Sequence, residues 1–246
     1  RVNDRFLDDA QAAEAAWRKI LEFDPTNEQA LSGLVELFGR RGHFKEYIES
    51  IEQKLEATTS VEQRKSMLRE MARVYEEHLS DPTQAERTLV RSLEMQADPE
   101  TLMLLASLQR RQKNHAAVAS TLLRLRDSVA SAEDRSLLQV EIAQVYERDL
   151  HDDDAAVEAY RRALEMDPSN RTALTALEVL YSKIDRPDEL LAVYERQLAL
   201  AADTRERVKL LFASAAIWEE RYQNLANADA CIESALHADP TNMQAI

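Results

Sequence analysis

Apolar residues in this chain recur at intervals of three and four, the spacing of a helix face, rather than at intervals of two. Leu138, Ile142, Val145, Tyr146 and Leu150 fall on one such stripe. Asp152 then stands where an N-cap belongs, and Ala156, Tyr160, Ala163 and Leu164 form the next stripe. Asp167-Pro168-Ser169-Asn170 ends that helix, because proline is excluded from a helix interior. Ala173, Leu174, Leu177, Leu180 and Tyr181 give a third stripe. After Arg186-Pro187-Asp188, the residues Leu190, Leu191, Val193, Tyr194 and Leu198 give a fourth. The pattern predicts two antiparallel helix hairpins, and nothing along the chain alternates as a strand would.

This four-helix block repeats. Ala13, Ala85, Ala156 and Ala228 recur at intervals of 72, 71 and 72 residues. Four residues before each stands a capping side chain: Asp9, Asp81, Asp152 and Asn224. Tyr75, Tyr146 and Trp218 keep the same period, each followed by a glutamate. Asp-Pro dipeptides at Asp24, Asp98, Asp167 and Asp239 close the blocks, and two extra residues before Asp98 account for their uneven spacing. In the second block Pro82 follows Asp81 directly, at the first helical position, where proline is favoured.

Ala143, Tyr146, Ala156, Tyr160, Ala163 and Pro168 together resemble the tetratricopeptide repeat, a helix-turn-helix of about 34 residues. Ala215, Trp218, Ala228, Ile232, Ala235 and Pro240 match the same series. So do Ala72, Tyr75, Ala85, Leu89 and Ser92, while Ala13, Trp17 and Pro25 supply half of a first copy. The alternate hairpins, near 27–58, 100–129 and 170–202, diverge: they lack the closing proline, and Val35 and Glu178 replace the small residue that Ala106 keeps. The resemblance implies an all-α fold, a right-handed α-solenoid superhelix of antiparallel hairpins. One solenoid is expected over residues 1–246, with roughly seven hairpins counting partial ones. Arg1 to Leu7 reads as the tail of a first helix, and Asp239-Pro240-Thr241-Asn242 opens a helix that Ile246 leaves unfinished. The expectation is a fragment of a longer array, truncated at both ends.

Composition narrows the chemistry. Only three glycines occur, Gly33, Gly39 and Gly42, so a glycine-rich phosphate loop has no raw material. Two of them flank one turn, which reads as a flexible joint. A net charge of −14 argues against nucleic acid and against anionic membrane surfaces. No apolar run approaches the ~20 residues that span a bilayer, so no membrane insertion is expected. The single cysteine, Cys231, forbids an internal disulfide and suits a reducing, cytoplasmic compartment. It neighbours the packing position Ile232 and reads as a buried structural thiol. The five histidines show no metal-ligand spacing, and the acids after His151 are better explained as a cap. No catalytic residue, cofactor or metal is expected, and the chain reads as a non-enzyme.

Function then falls to the groove that the resemblance assigns to the first helices of the hairpins. Residues flanking their packed stripes are Arg69, Arg73, Glu76, Gln144, Glu147 and Glu219, with Phe38, Gln109 and Tyr181 from the divergent hairpins. Glu76, Glu147 and Glu219 would form an acidic row suited to a basic segment. At one position of the family's carboxylate clamp stand Arg73, Gln144 and Ala216, so an acidic C-terminus is not the expected ligand. The leading expectation is a protein-interaction module, an adaptor or assembly scaffold that holds a peptide or helix. The alternatives are a docking or regulatory arm of a larger enzyme, and a self-associating structural solenoid.

Overall fold

A computed structural model describes residues 10–240; Asp9, the first-helix tail and the closing Thr241-Asn242 lie outside the described residues. Every element is helical, and no strand occurs among the described residues. The fold is all-α, and the chain divides into two compact units, one ending at Ser128 and the other beginning at Val129, each a solenoid-like stack of antiparallel hairpins.

The first unit holds α1 (Ala10–Phe23), α2 (Glu28–Arg41), α3 (Phe44–Ala57), α4 (Val61–Glu77), α5 (Pro82–Met95), α6 (Pro99–Arg111) and α7 (His115–Ser128). The second holds α8 (Ala132–Gln144) with a π-helical extension over Val145–Asp149, then α9 (Asp153–Met166), α10 (Arg171–Lys183), α11 (Pro187–Leu200), α12 (Thr204–Glu220) and α13 (Leu225–Ala238). Side-chain caps start these helices where the pattern requires. Asp81, Asp152 and Asn224 accept from the backbone N–H three residues on, at 3.0, 3.0 and 3.1 Å. Each such cap satisfies an otherwise orphaned donor and contributes about 1 kcal/mol.

Small residues sit where helices approach most closely. Ala72, Ala85, Ala143, Ala156, Ala163, Ala228 and Ala235 are buried, and the hairpins that carry them, α4/α5, α8/α9 and α12/α13, pack along more of their length than the divergent ones. In the first unit Leu34, Phe38, Ile51, Leu55, Leu68 and Met71 form a continuous core. In the second, Tyr160 is buried to 1% exposure against the α8/α9 turn, and Leu174 and Leu177 of α10 are equally enclosed.

A buried polar contact fastens two of the divergent hairpins, α6/α7 and α10/α11, to the hairpin before them. In the first unit Lys65, 3% exposed, pairs with Asp98 at 3.0 Å, while Asp98 caps α6 through Thr101 at 2.9 Å. In the second unit Ser136 and Asn170 hold the same two places. Asn170 donates to Ser136 Oγ at 3.1 Å and caps α10 through Ala173 at 3.0 Å. One device is ionic and the other neutral, on the same backbone.

Candidate functional site

The hairpin turns set which side chains face outward. One residue before each second-helix cap lies in the left-handed region: Gly42, Ser80, Lys113, His151, Asp185 and Gln223, all with φ between 51 and 68°. Two kinds of closing bond accompany it. In the repeat-matching hairpins the N–H groups of Asp81, Asp152 and Asn224 donate to the carbonyls of Tyr75, Tyr146 and Trp218, six residues back, at 2.8–2.9 Å. In the divergent hairpins His43, Asn114 and Arg186 donate to Phe38, Gln109 and Tyr181, only five residues back, at 2.9–3.0 Å. The divergent turn is shorter by one residue.

That one residue rotates the helix end by about 100° relative to its cap. Counting back from the cap, Phe38, Gln109 and Tyr181 look equivalent to Glu76, Glu147 and Glu219. By the closing bond they are equivalent to the inward Tyr75, Tyr146 and Trp218. Phe38, Gln109 and Tyr181 are accordingly buried, at 2, 5 and 6% exposure. The divergent residues that stand where Arg69 and Arg73 stand are instead Met103 and Ser107 on α6, and Thr175 and Val179 on α10. Met103 and Val179 are 54 and 57% exposed, an apolar signal off the packed stripe that the sequence carried and the cap-based register hid.

In the second unit this face forms a cleft of about 460 Å³ between the end of α8 and the exposed side of α10. Gln144, Glu147 and Arg148 line one wall, and Thr172, Thr175 and Val179 the other. Glu147 accepts from the Tyr160 hydroxyl at 2.7 Å; burial, then this bond, pushes the phenol well above its ordinary range and keeps it a donor. Among the described residues no hydrogen bond or ion pair engages the amide of Gln144, the guanidinium of Arg148 or either threonine hydroxyl, although the Arg148 charge acts on the Tyr160 hydroxyl. In the first unit a cleft of about 500 Å³ occupies the corresponding side of α2, lined by Ser32, Gly33, Glu36 and Trp17.

The expected acidic residues are not equally available. Glu76 takes two bonds from Arg111, at 2.6 and 2.7 Å, and is mostly covered. Glu147 is engaged by Tyr160, and Glu219 is exposed. Arg69 is enclosed by Asp98 and Glu100, at 3.5 and 3.2 Å, whereas Arg73 is exposed. Desolvation opposes ionisation of Asp98, but the Thr101 N–H and Lys65 outweigh it and hold the carboxyl below its usual range.

Among the described residues no group of three or more His, Cys, Asp or Glu could hold a metal, and no helix is long and apolar enough to cross a membrane. Cys231 is half-buried rather than enclosed, and burial raises its thiol pKa, which disfavours the reactive thiolate.

Two family models, each described as a tetratricopeptide repeat, match residues 138–170 and 173–208. No curated protein matches the sequence. Among solved structures, the Naa15/Naa10 complex bound to HypK-THB is similar, with a TM-score of 0.55 and 14% identity. That match covers 99% of this chain but only 37% of the neighbour, so the chain spans well under half of its length. The C-terminal part of a TPR repeat-containing protein from Cytophaga hutchinsonii is similar over 96% of this chain and 93% of its own, at 12% identity and a TM-score of 0.47. MamA is similar over 70% of this chain and 90% of its own, at 17% identity and a TM-score of 0.43.

Proposed function

We propose, from the premise that this chain is a tetratricopeptide-repeat protein, that it works as an adaptor or scaffold whose first-helix face holds a peptide or helix of a partner protein. One observation carries this reading. The α8/α10 cleft presents an amide, a guanidinium and two hydroxyls that no hydrogen bond or ion pair among the described residues engages, beside the exposed apolar Val179. Solvent-facing donors and acceptors on a helical face suit a peptide backbone, and an apolar neighbour suits one anchoring side chain. A repeat fold of this kind generally serves as a non-enzymatic scaffold, which agrees with the same reading.

Basic partners draw support from Glu147 and Glu219 only, since Arg111 already neutralises Glu76. The test is affinity capture from a lysate with the unaltered chain, with Thr175→Trp, and with the pair Glu147→Lys and Glu219→Lys. Thr175 is exposed, so the indole fills the cleft without entering the core. Loss of the same captured protein with Thr175→Trp supports the groove. Unchanged capture by both variants sinks it, and loss restricted to the lysine pair identifies the partner segment as basic.

A further inference from the structure

The second unit also carries a cleft on the face of its second helices, away from the groove just described. It lies between α9 and α11 with α10 as its floor, and measures about 740 Å³. Leu164, Leu177, Tyr181 and Val193 make the bottom apolar.

The same place in the first unit is closed by a polar clasp. Buried Gln109 donates to Glu86 at 2.8 Å and accepts from Thr121 at 2.8 Å, which ties α5, α6 and α7 together. In the second unit Val157, Tyr181 and Val193 hold those three places, 71, 72 and 72 residues on. A phenol and two isopropyl groups cannot rebuild the clasp. Ala192 and Ala199 keep the α11 wall low, so the cleft stands open.

Its charges are ordered. Helices α9 and α11 each run antiparallel to α10 and therefore parallel to one another. Glu189 lies in the first turn of α11 and Glu165 in the last turn of α9, at opposite ends of the cleft. Arg161 and Arg196 lie between them, one on each wall. Arg196 has no ion-pair partner among the described residues, and Arg161 has only a loose contact with Glu158 at 3.9 Å. The stretch from Glu189 to Leu200 is roughly 16 Å of helix, about three turns.

We propose that the α9/α11 cleft docks an amphipathic helix of a partner protein, with an apolar ridge three turns long and a carboxylate at its midpoint. The ridge would enter the apolar floor with anchors spaced three, four and seven residues apart. The central carboxylate would meet Arg161 and Arg196, while the terminal glutamates would reject acids placed at either end.

Two fluorescein-labelled 14-residue helical peptides test this, identical in their leucine ridge but carrying Glu or Lys at the centre. Fluorescence anisotropy with the full chain should show the Glu peptide binding on the order of tenfold more tightly. Arg196→Glu should abolish or invert that preference. Ala192→Trp should weaken both peptides on the order of tenfold or more, with a thermal melt matching the unaltered chain because Ala192 is exposed. Thr175→Trp, which fills the other groove, should leave both affinities unchanged. Absence of saturable binding, equal affinity for the two peptides, or binding that survives Ala192→Trp would each overturn the proposal.

Discussion

At the residue scale, the six hairpin turns ask the same thing of six different side chains. Each needs φ near +55°, where a side chain with a Cβ is strained by roughly 1–2 kcal/mol. Only Gly42 meets the demand without strain; Lys113 and Asp185 occupy the matching position in the other two divergent turns. Replacing Lys113 with Gly should therefore stabilise the chain by about 0.5–1 kcal/mol, after the added freedom of the unfolded chain is deducted. The reverse change, Gly42→Lys, should destabilise by about 1 kcal/mol. Urea unfolding followed by circular dichroism reads both, and a destabilising Lys113→Gly would refute the argument. The remaining glycines make close packing rather than a joint. A Cβ on Gly33 would meet the Trp17 ring at 2.5 Å, and one on Gly39 would meet Tyr47 at 3.1 Å.

At the element scale, what the sequence revealed depended on which bond fixed a register. Caps are local, so Asp81, Asp152 and Asn224 were legible from residue type and spacing alone. The outward face of the divergent helices was not, because it depends on whether a turn closes over five residues or six. No side chain announces that difference; Phe38, Gln109 and Tyr181 share neither size nor polarity. The polar fastening between hairpins was hidden for a related reason, since Lys65–Asp98 and Ser136–Asn170 perform one task with different chemistry. That difference predicts different responses to acid. The Asp98 carboxyl is held below its usual range, so its contribution is complete above the unfolded value of about 3.9 and is lost as pH falls through the lower folded value. Asp98→Ala should cost about 3 kcal/mol at neutral pH, because it strips the buried Lys65 of its close partner. The double change Lys65→Ser with Asp98→Asn copies the neutral fastening of the second unit. It should recover most of that loss and flatten the acid limb of the stability–pH curve. Urea midpoints measured between pH 2 and pH 7 decide the matter, and an unchanged acid limb in the double variant would count against it.

At the scale of the whole molecule, a stack of hairpins distributes its stability along the chain, because each hairpin buries its faces mainly against its neighbours. Here the chain divides into two compact units between Ser128 and Val129. The short connection after Ser128 is held by a side chain of the second unit. Arg135 of α8 donates to the carbonyls of Val129 and Ala130, at 2.9 and 3.1 Å, so these residues belong to the second unit. Each unit has its own buried core and is about 120 residues long, within the size range of domains that fold alone. We therefore expect residues 1–128 and 129–246, produced separately, each to unfold cooperatively in urea. Their summed helical ellipticity should equal that of the intact chain within experimental error. The two clefts of the second unit give this division a functional edge, because both are lined entirely by residues beyond Val129. The 129–246 piece should therefore keep the binding of the intact chain at both faces. A non-cooperative transition in either piece, or lost affinity in the second, would show that the units depend on one another.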